Sequence, residues 1–455
     1  MLTNESYLWH NKKAPRSSTA ISALVAINLF AIAFMLFFMR NSEPLLNPTV
    51  FAEDGVWTGM GMEHGWLQTA WNARPDYKVV LNVAMLWLAA KTSYIFTGSH
   101  IEGLAFFIAI FSYAFFAAIA TLGYLATQGI ISHPLRIVLY ILIVMAPVGL
   151  HGNEIFGRIL QIGFFLPLAS IFLLMIRDQT LGIIGTITID AILVLFVITN
   201  PVVALLVFLY AALYLLKNRN LLATIKSLAP LCLISLTYII AVKDNVRPGS
   251  SLPIAWDQNH AVEAIVARSV LYPFVHLIYR NMTDVTSIVL LVVFITLIAC
   301  ALYLSRRNGK WFILAFSAAS LFIYVALTFK MRGGLTTLLN GYNSTFPDRY
   351  FVGINLIAML CFVLALSIII ESAGRNVRIA CYSLLALIVF SYVWKASSIF
   401  ERGRPTMVIY QDKSFGDRLC AAKKTMDGLY SQVLIEPAGW SMKIPNGELH
   451  LTRCP

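Results

Sequence analysis

The sequence predicts an all-α protein, a polytopic membrane helix bundle. Of its 455 residues, 59% are hydrophobic and only 12% are charged, whereas a soluble domain carries about a quarter charged residues. Apolar runs of about 18 or more residues recur along the chain, and each is long enough to cross a bilayer. No water-soluble core could absorb them, so the chain belongs among multi-pass membrane proteins.

We expect about eleven transmembrane helices, which together form a domain over residues 1–396. The first apolar run follows Lys12, Lys13 and Arg16. At about 20 residues it is longer than a signal-peptide core and lacks a clear cleavage site after it, so it is interpreted as an uncleaved helix. The expected spans are 20–39, 101–126, 134–150, 159–176, 181–198, 200–217, 225–242, 284–304, 311–329, 350–371 and 378–396.

The charges between the spans predict the orientation. Alternate loops are rich in Lys and Arg, as in Arg306 and Arg307, and hold few acids. By the positive-inside rule these loops and the N-terminus are cytoplasmic, and an odd number of spans places the C-terminus outside. The net charge of +12 therefore reflects membrane topology, and it gives no reason to expect nucleic acid as a partner.

One apolar segment inside the first outer loop, residues 40–100, is ambiguous. Val79–Phe96 is interrupted by Asn82 and Lys91. As a full span it would reverse every later element and move the Arg306–Arg307 loop outside. We therefore expect an interfacial helix that lies in the headgroup region.

The C-terminal tail, residues 397–455, has a different composition. It is polar, carries charges of both signs, and is too short to bury much of a core by itself. It holds Cys420 and Cys454, whereas the other four cysteines lie in apolar runs. In an oxidising outer compartment these two could form a disulfide; the alternative is a pair of free thiols in a cytosolic tail.

An acidic motif lies just after the first span. Phe51-Ala52-Glu53-Asp54-Gly55 places two carboxylates in the first outer loop. Transfer of a group to a hydroxyl needs a base to take the proton, and a positioned carboxylate can do so. The structural alternative is a solvated acidic turn. The flanking aromatic residues and the adjacent helix end favour a catalytic role for Glu53 and Asp54.

The second outer loop is a short turn, 151–158, with several polar groups. His151 and Arg158 are candidate substrate ligands, and Glu154 is a candidate second catalytic acid. The same residues also fit a structural role, because an acid is favourable at the start of the next helix. Both interpretations remain open from the sequence.

The late outer loop supplies cations near the membrane surface. Arg332 and Arg349-Tyr350 lie close to the ends of two adjacent spans. Arginine binds phosphate through a fork of donors and stays charged. These residues are therefore candidate ligands for an anionic headgroup, with Arg280 in reserve; the alternative is snorkelling arginine and an interfacial tyrosine.

The early Glu53-Asp54 motif, the outer loop acid Glu154 and the late Arg349-Tyr350 pair resemble the GT-C superfamily of polytopic glycosyltransferases. Within it, the layout is similar to bacterial enzymes that modify O-antigen. The resemblance implies a polyprenyl-phosphate sugar as donor, glucose being the usual sugar, and a surface polysaccharide or lipid-linked glycan as acceptor. It also implies the periplasmic face of the inner membrane. We expect no cofactor. A divalent metal stays open as an alternative, but no clear motif supports it, since the chain has no Asp-x-Asp.

Two other classes remain open. An O-antigen polymerase or ligase would also be polytopic, with outer arginines, although the early acidic motif argues against it. A lipid-linked glycan flippase or transporter would place polar residues along a central path. Asp190 falls inside the expected span 181–198, and an ionisable residue there is a functional candidate.

Overall fold

The structure is a computed structural model of the whole chain. It describes residues 19–148, 154–179, 182–242, 257–306, 309–331, 334–339, 341–343, 348–394, 414–424 and 428–448.

The bundle predicted from the sequence is confirmed. A helix is found at each of the eleven expected spans. Nine are long and apolar enough to cross a membrane when α8 is counted with the 3₁₀ turn before it, Leu160–Gln179, and two are shorter, with 13 and 15 residues. Their bounds are α1 Thr19–Arg40, α6 Leu104–Ala126, α7 His133–Met145, α8 Leu166–Gln179, α9 Ile183–Val197, α10 Pro201–Asn218, α11 Leu221–Val242, α13 Asp284–Ser305, α14 Trp311–Met331, α16 Val352–Ser372 and α17 Arg375–Trp394.

The remaining elements lie in the connections and in the tail. A 3₁₀ turn, Leu160–Phe165, leads into α8, and a π-helix, Glu263–Leu271, precedes α12. The helices of the connections and the tail are α2 Glu43–Leu46, α3 Ala52–His64, α4 Trp66–Asn72, α5 Val80–Thr97, α12 Tyr272–Val275, α15 Leu335–Leu338 and α18 Phe415–Cys420. The strands are β1 Lys423–Lys424, β2 Tyr430–Ile435 and β3 Trp440–Pro445.

Helix α16 is the centre of the bundle. Nearly all of its residues are buried, and it is apolar on every face. This is expected for a helix that is surrounded by others. The peripheral helix α13 has the opposite character. It exposes a run of β-branched side chains that includes Val285, Val289, Val292 and Val293, and an apolar surface of this kind is suited to contact with lipid.

Contacts between the first helices fix their relative directions. Arg40, the last residue of α1, donates to the carbonyl of Ala146 just after α7 (2.5 Å), and Tyr140 donates to the carbonyl of Leu29 (2.6 Å). Helices α1 and α7 are therefore parallel. Tyr113 in the first half of α6 donates to the Asn41 carbonyl, so α6 runs in the opposite direction. We call the end of the bundle at which α1 ends the site end.

The opposite end, which we call the basic end, collects the cations of the alternate loops. There Lys217 contacts Asp178 at 2.9 Å and Lys310 contacts Glu371 at 2.5 Å. The described cations of the basic end are Arg136, Arg177, Lys217, Arg219, Lys226, Arg306, Lys310, Arg375 and Arg378.

Helix α5, the ambiguous segment of the sequence, does not cross the bundle. Near its start, Asn82 donates to the carbonyl of Ile159 at the site end (2.9 Å). Its last turn is joined to the start of α6 by hydrogen bonds from Ser93 to the Ser99 carbonyl and from the Gly103 amide to Ser93. Since α6 starts at the site end, both ends of α5 lie on that side, as expected for an interfacial helix.

Asp190 lies in an ion pair near the basic end. The Arg177 guanidinium donates to both of its oxygens, at 2.6 and 3.0 Å, and also to the hydroxyl and carbonyl of Ser227. These bonds join α8, α9 and α11. The carboxylate is therefore a structural group that ties three helices together, and its neutralisation by Arg177 explains how it is tolerated inside an apolar helix.

The tail folds onto the site end. Strands β2 and β3 form an antiparallel hairpin, and β1 pairs with β2. One face of the hairpin is buried, with Val433, Ile435, Met442 and Ile444 at 0% exposure, and these side chains join the same core as the bundle. The small tail thus shares the hydrophobic core of the membrane domain, which compensates for its short length.

Candidate functional site

The acidic motif forms the beginning of helix α3. Phe51 is extended, Ala52 has a positive φ of 43°, and Glu53 and Asp54 occupy the first helical turn. Carboxylates are favourable there because the backbone amides of a first turn lack partners and carry partial positive charge. Adjacent positions on a helix point in directions about 100° apart, so the two carboxylates have different surroundings.

Asp54 points into the protein and is fully buried. One carboxylate oxygen accepts a hydrogen bond from the amide of Ile159 at 3.1 Å. Burial raises the pKa of Asp54 to about 7, and the negative charge of Glu53 contributes in the same direction, whereas Arg158 and the amide act against the rise. Asp54 therefore titrates near neutral pH and connects α3 to the segment before α8.

Glu154 and Arg349 meet although they are distant in the sequence. An Arg349 Nη donates to Oε2 of Glu154 at 2.8 Å, and the Glu154 side chain is only 6% exposed. Burial raises the pKa of Glu154, while Arg349 opposes that rise; the charge of Glu53 adds to it. Two of the predicted site residues are thus brought together by the fold.

Arg158 is buried behind the acidic turn. Its guanidinium donates to the carbonyl of Thr49 at 2.9 Å and lies over the ring of Phe51, 4.7 Å from the centroid. Burial lowers its pKa, while the charge of Asp54 acts in the opposite direction. Its contacts hold the chain that leads into α3.

Glu53 lies among these charges and is only partly buried. Its carboxylate affects the titration of Asp54, Glu154 and Arg349. It also raises the pKa of a fourth group, Arg74, which the sequence interpretation did not identify. Because a charge acts strongly only over short distances, Glu53 lies near these four groups.

Arg74 is held in place by its own neighbours. It forms two 3.0 Å hydrogen bonds with Asp76 and lies over the ring of Tyr77 at 4.6 Å. The sequence offers one signal for it, the spacing Arg-x-Asp-Tyr in the same outer loop as Glu53. We define the charge cluster as Glu53, Asp54, Arg74, Glu154, Arg158 and Arg349.

A groove of about 690 Å³ runs beside the charge cluster. Its wall includes Trp57, one turn beyond Glu53, as well as Tyr77 and Tyr350, which stand next to Arg74 and Arg349. Most of the other lining side chains are apolar or aromatic: Val79, Leu160, Phe164, Val202, Tyr324, Leu327 and Met331.

Polar side chains stabilise the irregular backbone of that wall. Asn82 donates to the carbonyls of Ile159 and Leu160, and Asn200 donates to the carbonyl of Gly163 at 2.7 Å. The ring of Tyr350 packs edge-on against Phe164 at 5.3 Å. The backbone before α8 can therefore pass the site as a 3₁₀ turn, without regular α-helical hydrogen bonding.

Other predicted residues lie elsewhere. Arg280 is exposed in a 3₁₀ turn, Tyr279–Asn281, before α13, and none of its described contacts is with the charge cluster. His151, Arg332 and Cys454 fall outside the described residues. Cys420 is disulfide-bonded; its pairing with Cys454 stays a prediction.

The described part of the chain contains no group of three or more His, Cys, Asp or Glu side chains arranged to hold a metal ion. Asp54 instead accepts a hydrogen bond from a backbone amide, and Glu154 forms an ion pair with Arg349. No protein-family model matches this chain, and no curated protein matches it in sequence.

Proposed function

We propose that this protein is a membrane glycosyltransferase that transfers a sugar, glucose, from a polyprenyl-phosphate donor to a surface glycan such as O-antigen. The observation that carries the proposal is the juxtaposition of the charge cluster and the groove at one end of a membrane helix bundle. A lipid-linked donor combines the same two features, an anionic head and a long apolar chain.

In this proposal the cations bind the donor phosphate. Arg349 and Arg74 are both oriented by a carboxylate, Glu154 and Asp76 respectively. A paired guanidinium stays charged and has further N–H donors for phosphate oxygens. The isoprenoid chain would occupy the apolar groove, and Trp57 and Tyr350 offer ring faces to the sugar.

Glu53 is the proposed base. It is the partly exposed carboxylate of the motif, whereas Asp54 is fully buried. The acceptor hydroxyl gives its proton to Glu53 as its oxygen bonds to the anomeric carbon. The bond from that carbon to the phosphate oxygen breaks, and polyprenyl phosphate leaves with the bonding electrons. Asp54 positions the turn through its hydrogen bond with the Ile159 amide.

The basic end supports one orientation in the proposal. The positive-inside rule favours a cytoplasmic basic end, and the proposed site end therefore faces the periplasm of a bacterial cell. A phosphatase fused after Pro455 should then be active. An inactive phosphatase combined with an active cytoplasmic reporter would reverse the orientation and reject a periplasmic site.

The transporter alternative depended on Asp190. That carboxylate is bonded to Arg177 and lies near the basic end, away from the groove. No described feature therefore favours transport over transfer.

The test is a transfer assay in proteoliposomes with undecaprenyl-phosphate glucose labelled in the sugar and with O-antigen glycolipid as acceptor. We expect label in the glycan and a kcat about 10²- to 10⁴-fold lower for Glu53→Gln. Glu63→Gln, on the last turn of the same helix, is the matched control and should retain activity.

Two outcomes would reject the proposal. The first is normal transfer by correctly inserted Glu53→Gln protein, which would show that Glu53 is not the base. The second is turnover of a diphosphate-linked oligosaccharide with no use of the monophosphate sugar, which would indicate a polymerase or ligase.

A further inference from the structure

The C-terminal tail forms hydrogen bonds with the residues that precede the two carboxylates. The amide of Glu436 donates to the Val50 carbonyl at 3.0 Å, and the Ala52 amide donates to the Glu436 carbonyl. These two bonds form a parallel β-bridge between Phe51 and Glu436. The bridge ends one residue before Glu53, so the tail holds the backbone from which the candidate base projects.

Helix α3 is shaped to receive the tail. Gly55 and Gly59 lie one turn apart on the face that meets the hairpin. A Cβ at Gly55 would approach the Cδ1 of Ile435 to 2.5 Å, and one at Gly59 would overlap the backbone oxygen of Lys443. At Gly59, only glycine permits this close approach of two backbones. The contact is thus built into the helix that carries Glu53 and Asp54.

A buried ion pair holds the bridging residue. The Arg418 guanidinium of α18 lies 3.1 Å from the Glu436 carboxylate, and these side chains are 4% and 1% exposed. The charge of Glu436 also acts on Arg158, which holds the other side of the same turn. The tail is therefore connected to the acidic turn by backbone bonds, by close packing and by charge.

We propose that α18 and the β2–β3 hairpin form a clamp that positions the acidic turn, with Glu436 as its principal positioning residue. This inference rests on the proposed transferase function for its kinetic consequence. Its structural consequence can be measured without any substrate.

The backbone at Ala52 explains why a clamp is needed. Its φ of 43° lies in the left-handed region, which a residue with a side chain adopts only when its surroundings enforce it. Once the bridge is lost, this residue can relax to an ordinary conformation and change the direction of Glu53. Arg349 and every groove residue except Trp57 lie on elements other than α3, so donor binding should not change.

The kinetic test compares Glu436→Gln with the control Glu448→Gln, whose side chain is 43% exposed and lies after the hairpin. We expect Glu436→Gln to lower kcat about 10- to 100-fold, as for a misplaced catalytic group, with an unchanged donor KM. The control should match wild type. A rise in donor KM equal to the loss of kcat/KM, with normal kcat, would overturn the positioning role.

The structural test is hydrogen exchange of the purified full chain without substrate. In Glu436→Gln, peptides that cover residues 50–56 should exchange about ten-fold faster, because local opening becomes easier. Unchanged protection there would overturn the clamp even if wild type shows no transferase activity. Conversely, faster exchange in a protein without transferase activity would reject the proposed function and leave the clamp in place.

Should Glu436→Gln fail to fold, Gly59→Ala replaces it. Its methyl group would displace the hairpin without altering a charge, and Gly447→Ala, where a Cβ meets open space, is the matched control. We expect the same loss of kcat and faster exchange at 50–56 for Gly59→Ala alone. Equal behaviour of both alanine variants would contradict the proposal.

Discussion

Replacement of Asp54 by asparagine should make the stability of the protein less dependent on pH. Asp54 is fully buried, and its pKa is raised to about 7, mainly by burial. Asparagine has the same shape and retains an oxygen that can accept the hydrogen bond from the Ile159 amide. The substitution therefore removes the titration and keeps the recorded contact.

The sign follows from the raised pKa. Below pH 4 the carboxyl is protonated in both the folded and the unfolded protein, so its contribution to stability is fully present. As the pH rises towards 7, the unfolded chain releases its proton while the folded state retains it, and stability falls. With an unfolded pKa of about 3.9, the loss between pH 5 and pH 8 amounts to about 2 to 3 kcal/mol.

The assay is thermal unfolding of both proteins in detergent at pH 5 and pH 8. The Tm of Asp54→Asn relative to wild type should rise by a few degrees between the two pH values. Glu63→Gln, at the solvated end of the same helix, should show no such change. If the Tm difference for Asp54→Asn is the same at both pH values, Asp54 does not titrate in this window and the reasoning is refuted.

Three further predictions concern the charged groups and the disulfide. Glu154→Gln and Arg349→Ala should each raise the donor KM, and in a double-mutant cycle their effects should deviate from additivity by about 0.5 to 3 kcal/mol; strict additivity would mean that the pair is not coupled. Asp190→Asn should lower Tm, since Arg177 would keep a buried charge without its partner. The kcat per folded molecule should stay normal; a loss of kcat would show that Asp190 has a functional role. Cys420→Ser should lower Tm to the value of the reduced wild type, and a further loss on reduction would point to another disulfide.

The helices were predictable because each of them satisfies a local rule. A span needs about 20 apolar residues in succession, and this pattern located α1, α13 and α16 within a few residues. The same rule could not decide α5, which is long and apolar enough to qualify. Its contacts with the segment before α8 and with the start of α6 favour an interfacial position, and those contacts depend on tertiary structure.

The site was predictable only in part. The sequence placed Glu154 and Arg349 in separate outer loops, but their 2.8 Å contact joins residues that are far apart along the chain. Arg74 was missed because a lone arginine in a polar loop resembles any solvated cation. One signal for the docking of the tail was overlooked: Gly55 and Gly59, spaced by four on α3, mark a helix face that another segment can approach closely.

The two adjacent carboxylates can take different roles because the helix points them in different directions. If both faced the groove, their mutual repulsion would raise both pKa values and favour a shared proton. The fold instead turns Asp54 inward, where Arg158 and the Ile159 amide compensate part of its burial, and leaves Glu53 partly exposed beside Arg74 and Arg349. One carboxylate can then hold the turn while the other meets a substrate. In the proposed mechanism, the motif therefore consists of a base, Glu53, and a residue that positions its turn, Asp54.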